Sequence, residues 1–202
     1  STYNNNSTLS DSIESILNQT YKKIELLIVD DGSSDNSFEI MKGYNKDYKN
    51  CLIFKNEKNI GLTKSLNFLI SKSNGEYIAR QDADDISYLN RIEIQKQIVE
   101  KYNLDFCSTR AIIRNTNKVI PNLSYFIPNK LLINFKNPFI HGTLFIKSEV
   151  LISLGLYDED FYYAQDYKLM SDLIRKQYNY KMIKKPLYEL NMENNISSEF
   201  RK

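Results

Sequence analysis

The sequence predicts an α/β fold built on a mixed, mainly parallel central sheet, and three observations favour it. Short apolar runs alternate with helical patterns through residues 1–104, which is typical of βαβ units. The run at residues 24–29 is almost unbroken and apolar, as in a strand that is covered on both faces. Acidic residues follow two predicted strands, at 30–31 and 82–85, and ligands of such sheets bind beyond the carboxyl ends of strands.

The first half of the chain supplies the regular elements. Residues 8–11 have the spacing of a capping box, so a helix is expected to begin there and to end near Gln19 and Thr20. Later in this half, the apolar periodicity predicts strands at 24–29, 51–54 and 77–79, and helices through 38–41, 62–70 and 87–102.

The second half is less regular. Its patterns predict strands at 105–108, 111–113 and 119–120, a short helix at 131–135, a strand at 139–146 interrupted at Gly142, helices from 148 and over 166–176, and a final strand at 180–190. The last residues are expected to be frayed. We expect a single domain over 1–202, with a nucleotide-binding half (1–104) and an acceptor-side half (105–202).

Composition excludes several classes of protein. With 42% hydrophobic and 26% charged residues, the chain fits a globular protein with a sizeable core. A net charge of +2 argues against a nucleic-acid partner. The two cysteines are too few for a disulfide scaffold and have no metal-type spacing with the single histidine, so we expect a cytoplasmic location. No apolar run is long enough to cross a bilayer, which leaves peripheral association with the inner face of the membrane open.

Acidic clusters mark the candidate site. Asp82, Asp84 and Asp85 repel one another, and such clusters persist mainly where a cation or a donor-rich ligand compensates them. The alternative is structural: Asp85 caps a helix that begins near Ile86. The turn after the strand at 24–29 has the same two interpretations, as a binding loop or as an ordinary turn in which Ser34 or Asp35 caps the next helix.

An ordered set of motifs carries a family resemblance. These are Thr2–Asn4, Ser15–Tyr21, Glu25–Asp35, Asn59–Leu62, Asn74–Ile78, Asp82–Asp85 and Ala164–Leu169. In order and spacing they resemble the family 2 glycosyltransferases, the inverting enzymes with the Rossmann-like GT-A fold that use nucleotide-diphosphate sugars. Ser1 stands where such relatives have a proline after their first strand, so the resemblance implies that this first strand is lacking.

The resemblance also implies roles for individual residues on the donor side. Asp84 is expected to bind Mg²⁺ or Mn²⁺, since Asp82 and Asp84 match the two acids of the DXD motif. Residues expected to bind the nucleotide are Thr2, Tyr3, Asp31 and Asp82. Tyr3 can stack on the base, and Asp31 can accept a hydrogen bond from its ring N–H, which favours a uracil-like base. His141 is expected to contact the diphosphate or the substrate.

On the acceptor side, Asp166 matches the catalytic base of the family. Two positions depart from the family pattern. Gln165 stands where a glutamate often precedes the base, and Leu66 stands where many relatives have arginine, so Lys64 is expected to supply that positive charge.

The activity implied is metal-dependent transfer of a hexosyl or N-acetylhexosaminyl group from a UDP-sugar to a hydroxyl acceptor. The acceptor is expected to be a glycan or a lipid-linked saccharide in surface polysaccharide or glycan biosynthesis. Alternatives that the residues leave open are a nucleotidyltransferase, a catalytically silent relative that binds nucleotide sugars, and a receiver-type signalling domain.

Overall fold

The computed structural model of the protein describes residues 1–161 and 163–192. The helices are α1 (Leu9–Leu17), α2 (Ser37–Asp47), α3 (Leu62–Lys72), α4 (Arg91–Lys101), α5 (Asn129–Leu132), α6 (Ser148–Ser153) and α7 (Gln165–Arg175). The strands are β1 (Leu26–Asp30), β2 (Cys51–Lys55), β3 (Tyr77–Ala79), β4 (Ile86–Ser87), β5 (Phe106–Ile113), β6 (Val119–Ile120), β7 (Phe145–Lys147) and β8 (Tyr180–Leu190). The predicted fraying of the last residues lies outside the described part.

The strands form two sheets. β1 and β2 pair in parallel, while the larger sheet has the order β3–β7–β5–β8–β4, with β6 also paired to β5. Within it β5 and β8 are parallel and the other pairings are antiparallel. The mixed sheet is therefore confirmed. Parallel pairing is less dominant than the first half of the sequence suggests, because β5 with β8 is the one parallel pair that the described residues form in the larger sheet.

A cavity of about 410 Å³ separates the two sheets. Side chains of β1 and β3 line it from opposite sides, and apolar residues of α1 and α3 close it. Among the described residues, only the bridge between Thr2 and Asp30 extends β1 on a side other than that of β2. The expectation that a first strand is lacking stays a prediction; the observation is that β1 and β3 are not hydrogen-bonded to each other.

Helix α7 is anchored in the main core. Its inward residues were predicted from the periodicity and are all buried: Leu169, Met170, Leu173 and Ile174. They pack with Phe106 of β5 and Ile146 of β7 in one apolar cluster. This packing fixes the first turn of α7, where Asp166 lies, against the larger sheet.

Three predicted helix features are wrong. The side chain of Thr8 forms no capping hydrogen bond at α1, and its hydroxyl lies 3.4 Å from the carbonyl oxygen of Ala83 instead. Helix α4 begins at Arg91 rather than at 87, because Ile86 and Ser87 pair with β8. Asp85 is consequently not its cap; it accepts a hydrogen bond of 2.6 Å from the Asn191 N–H.

Two strand predictions also need correction. The segment from Phe139 to Thr143 is not a strand, since His141–Thr143 form a 3-10 turn before the short β7. Backbone hydrogen bonds from Thr143 to Ile140 and from Leu144 to His141 close that turn. In addition, the two strands predicted at 105–108 and 111–113 are one continuous strand, β5, with an irregular register against β8.

Among the described residues, no helix has the length and apolar character needed to span a membrane.

Candidate active site

The loop after β3 places Asp82 beside a buried guanidinium. Arg80 is 6% exposed and donates to an Asp82 carboxylate oxygen, whereas the Asp82 side chain keeps 30% exposure. The Asp82 backbone N–H donates to the Tyr188 hydroxyl at 3.1 Å, and its carbonyl accepts from Ser12 at 2.8 Å. Burial pushes the pKa of Asp82 upward, but the charges of Arg80 and His141 outweigh it, so the pKa is lowered. Asp82 is thus an oriented carboxylate that stays charged.

Asp84 and Asp85 follow in a less favourable environment for charge. Burial and, second, the charge of Asp82 raise the pKa of Asp84. The same two causes raise the pKa of Asp85 to about 7. The carboxylates therefore repel one another in the described protein. A divalent cation would relieve that repulsion, which is the physical signature expected of a cation site.

The donor chemistry fits Mg²⁺ or Mn²⁺, since both prefer oxygen ligands. Within residues 1–161 and 163–192, no three metal-binding side chains converge on one point. Asp84, with Asp82 beside it, would therefore hold the ion only together with oxygens from another molecule. A diphosphate supplies such oxygens.

His141 begins the 3-10 turn that packs against Asp82. Burial, followed by the charge of Arg80, lowers the pKa of His141 to about 4, while Asp82 and Asp166 both act on it in the opposite direction. Its Nε2 is 2.8 Å from the hydroxyl of the buried Tyr157. The imidazole is neutral near pH 7 and can offer one donor and one acceptor.

Asp166 lies in the first turn of α7, where the helix dipole favours a carboxylate. Its Oδ2 accepts a hydrogen bond of 2.8 Å from the Asn137 amide, which orients it. Ala164, the residue just before the helix, has a left-handed φ of 57°, so the chain turns sharply into the helix at this point. Gln165, the position where relatives often have glutamate, is the first residue of the helix.

The nucleotide-side residues lie at the carboxyl end of β1. Thr2 is buried and pairs with Asp30, and Tyr3 beside it is 49% exposed, so its ring is accessible for stacking. The hydroxyl of Thr2 and Oδ2 of Asp30 are buried with no hydrogen-bond partner among the described residues. Thr2 and Asp30 therefore each keep one polar atom that no described residue hydrogen-bonds.

Asp31 already makes several hydrogen bonds. Its carboxylate accepts from the Asn56 amide at 2.7 Å and from the N–H groups of Ile60 and Gly61, each at 3.0 Å. A carboxylate has about four acceptor positions, so about one remains for a ligand. Asp31 thus fixes the loop before α3, and its predicted role toward a base stays a prediction. Of the two residues proposed to cap α2, Asp35 accepts the Ser37 N–H at 2.9 Å.

Sequence reasoning missed several polar residues that build this site. Arg91 is completely buried and donates to Gln81, Ser87 and the carbonyl of Arg80, which fixes the path of the acidic loop. Two further residues were also missed: Arg80, which donates to Asp82, and Tyr157, whose hydroxyl contacts the His141 ring. The signal for Arg80 was present, because a cation stands directly between an apolar strand and the acids.

Lys64, expected to supply a positive charge, is exposed and forms no ion pair among the described residues.

Gly142 allows the 3-10 turn to pack directly on this site, which gives a test of the geometry. A β-carbon at Gly142 would lie 2.7 Å from Cζ of Tyr188 and 2.8 Å from Oδ2 of Asp82. We expect Gly142→Ala to lower the free energy of unfolding by about 1–3 kcal/mol, as overpacking does. Thermal or denaturant unfolding measures it.

Gly43→Ala is the matched control, because a β-carbon there meets nothing within 4 Å and the residue lies inside α2. It should stabilise the protein by about 0.5–1 kcal/mol, since alanine restricts the unfolded chain. Equal effects of the two substitutions would contradict the close packing described at Gly142.

Comparison with known proteins identifies the family. Residues 1–155 match the family model "Glycosyl transferase family 2". The chain is 34% identical to the EpsE protein of Bacillus subtilis (strain 168) over 162 residues, covering 77% of this chain and 57% of EpsE. It is 36% identical to the O-antigen biosynthesis glycosyltransferase WbnJ of Escherichia coli over 165 residues, covering 78% of this chain and 63% of WbnJ. The chain thus spans less than two thirds of either relative.

Solved structures share the fold at low sequence identity. S. aureus TarS 1–349 in complex with UDP-GlcNAc superposes with a TM-score of 0.82 at 18% identity, covering 100% of this chain and 59% of that one. The mannosyltransferase PcManGT from Pyrobaculum calidifontis, in complex with GDP-Man and Mn²⁺, gives a TM-score of 0.69 at 19% identity, covering 92% of this chain and 52% of that one. The family match and the shared architecture together show that this chain belongs to glycosyl transferase family 2 and has the GT-A fold.

Proposed function

We propose that the chain catalyses inverting transfer of a hexosyl or N-acetylhexosaminyl group from a UDP-sugar to a hydroxyl group. The observation that carries this proposal is that one segment, residues 137–142, contacts an acid of each side: the Asn137 amide donates to Asp166 at 2.8 Å, and a β-carbon at Gly142 would lie 2.8 Å from Oδ2 of Asp82. The charges of Asp82, on the donor side, and Asp166, on the acceptor side, both act on the same His141 ring. A direct displacement needs a leaving-group site and a base close together on opposite faces of one sugar.

On the donor side, each residue has a separate task. Tyr3 stacks on the base, Asp31 accepts its ring N–H, and the exposed oxygen of Asp82 binds the ribose. Thr2 lines the nucleotide side, where its hydroxyl has no hydrogen-bond partner among the described residues. The UDP-GlcNAc bound by S. aureus TarS supports a uridine donor, and the GDP-Man bound by PcManGT is the competing choice.

The metal belongs to the leaving group. Asp84 would hold Mg²⁺ or Mn²⁺, and the ion when bound neutralises the charge that develops on the departing diphosphate. The Mn²⁺ in the PcManGT complex supports this assignment. The neutral His141 donates a hydrogen bond toward the diphosphate or the sugar from one ring nitrogen. The Tyr157 hydroxyl contacts its other ring nitrogen, Nε2, and fixes the orientation of the ring.

On the acceptor side, Asp166 takes the proton from the attacking hydroxyl. The Asn137 amide binds one carboxylate oxygen, which leaves the other oxygen free to act as base. Gln165 instead of an acid beside it avoids a second negative charge that would compete for the proton.

The acceptor is proposed to be a glycan or a lipid-linked saccharide, in surface polysaccharide or glycan biosynthesis. The name of WbnJ, an O-antigen biosynthesis glycosyltransferase, supports that setting. We place the enzyme in the cytoplasm, where nucleotide sugars are the donors, at the inner face of the membrane.

The test is release of nucleoside diphosphate from a panel of UDP-hexoses and UDP-N-acetylhexosamines, with water as the acceptor. We expect UDP release that requires Mn²⁺ or Mg²⁺ and stops with a chelator, and early proton NMR spectra should show the inverted anomer of the sugar. Retained configuration would contradict direct displacement. Formation of UTP and sugar phosphate from a UDP-sugar when pyrophosphate is added would instead identify a nucleotidyltransferase.

A further inference from the structure

A cluster of exposed apolar side chains projects from the segment between β6 and β7. We call it the apolar patch, and its members are Leu123, Phe126, Ile127, Leu131 and Phe135. Leu123 is 78% exposed and Phe135 is 86% exposed, in the part of the chain that the structure describes. Single exposed apolar residues are ordinary, but five within thirteen positions are a concentration typical of an interaction site.

The local structure holds these side chains outward. Leu132 and Ile133 are buried and anchor α5 and the turn after it in the core. Leu131 and Phe135 are four positions apart, so on this helical turn they share the opposite face. The patch is therefore presented by an anchored backbone.

The charge of this segment is strongly one-sided. From Phe106 to Ser148 the chain has six lysine and arginine residues and no aspartate or glutamate, although the whole chain is nearly balanced at 27 to 25. Arg114 and Lys147 of this segment pair with acids from elsewhere. Lys118, Lys130 and Lys136 are exposed and form no ion pair among the described residues.

We propose that the apolar patch and these three lysines dock the protein on a membrane surface that contains anionic phospholipid. Apolar side chains enter the boundary between headgroups and acyl chains, and nearby lysines are attracted to the negative surface. The same charges argue against a second copy of the chain as the occupant, because two such surfaces would repel each other when placed face to face.

The patch is directly connected to the acceptor side of the site. Asn137, two positions after Phe135, donates to Asp166 at 2.8 Å, and the Tyr167 hydroxyl donates to the carbonyl of Ile133. Docking through the patch would turn Asp166 toward the membrane. This functional meaning rests on the proposed function, since it brings the base to a lipid-linked saccharide; the docking itself does not depend on it.

The test is co-sedimentation of the purified chain with vesicles of phosphatidylcholine alone or mixed with phosphatidylglycerol. We expect binding only to the mixed vesicles, weakened by salt. Two double variants should each lower the partition coefficient by about tenfold or more. Phe126→Ser with Phe135→Ser removes apolar area that would enter the membrane. Lys130→Glu with Lys136→Glu removes the attraction of two lysines to the anionic surface.

Matched controls lie elsewhere on the surface. Lys22→Glu combined with Lys23→Glu gives the same change of net charge, and Ile152→Ser removes another exposed apolar side chain; both should bind vesicles like the unmodified chain. Equal loss in patch and control variants, or no vesicle binding, would overturn the proposal. So would concentration-dependent dimers that the patch substitutions abolish. UDP binding in solution, measured on every variant, should be unchanged, so failure of docking is distinguishable from failure of the proposed function.

Discussion

Asp166→Asn is expected to lower the rate of sugar transfer by about 10²- to 10⁴-fold, the usual contribution of a positioned general base. The amide keeps the size of the side chain and can still pair with Asn137, but it cannot take a proton. Because we propose that Asp166 acts on the acceptor and not on the nucleotide, the affinity for UDP should not change. Steady-state kinetics for transfer, with UDP affinity from calorimetric titration, measure the two quantities separately.

Asp172→Asn is the matched control on the same helix. Asp172 pairs with Lys168 at 2.6 Å and, among the described residues, forms no hydrogen bond or ion pair with Asp82 or His141. Its substitution should leave both the rate and the affinity near the unmodified values. Full activity of Asp166→Asn would show that Asp166 is not the general base. If the unmodified chain bound UDP but transferred no sugar, it would be a catalytically silent relative that binds nucleotide sugars.

Asp84→Asn should weaken metal-dependent UDP binding at least tenfold, which is about 1.4 kcal/mol. The expected effect on stability has the opposite sign. The folded-state pKa of Asp84 is raised above its ordinary value, by burial first and by Asp82 second. Its charged form therefore destabilises the folded protein, and stability falls as pH rises above the unfolded pKa. A neutral amide removes that cost, so the unfolding temperature without ligand should be unchanged or higher.

Titrations of UDP with Mn²⁺ and with chelator measure the first effect, and thermal unfolding measures the second. Asp47→Asn is the control, since Asp47 is an exposed acid at the end of α2. If UDP bound equally well to Asp84→Asn with and without the metal, Asp84 would have no part in a cation site.

Elements with strong periodicity were predictable from the sequence. The final strand was predicted at 180–190 and β8 has these bounds, and the buried face of α7 was predicted residue by residue. In both elements, local propensity and burial favour the same structure. Ile86 and Ser87 show the opposite case. Their pattern suited a helix start, but pairing with β8, which is distant in the sequence, decided their conformation.

The acids of the candidate site can be proposed from the sequence, but the tertiary contacts that surround them cannot. Asp82, Asp84 and Asp166 belong to short local motifs, so one sequence window suffices to notice each of them. Their partners Tyr188 and Asn137 act through tertiary contacts, such as the one between Asp82 and Tyr188. Asp85 illustrates the consequence: its sequence neighbours suggested a helix cap, whereas its hydrogen bond goes to Asn191 after β8.

We propose that the acidic loop and the end of β1 form a UDP-sugar site that a divalent cation completes. The most direct test of this site is the midpoint of thermal unfolding of the chain, measured with UDP. Ligand that binds only the folded state raises stability by about 2.7 kcal/mol at one hundred times its Kd. We expect a rise in the midpoint with UDP and Mn²⁺ together, a loss of that rise with chelator, and no rise in Asp84→Asn. An unchanged midpoint for UDP with either Mn²⁺ or Mg²⁺ would contradict a site of this kind.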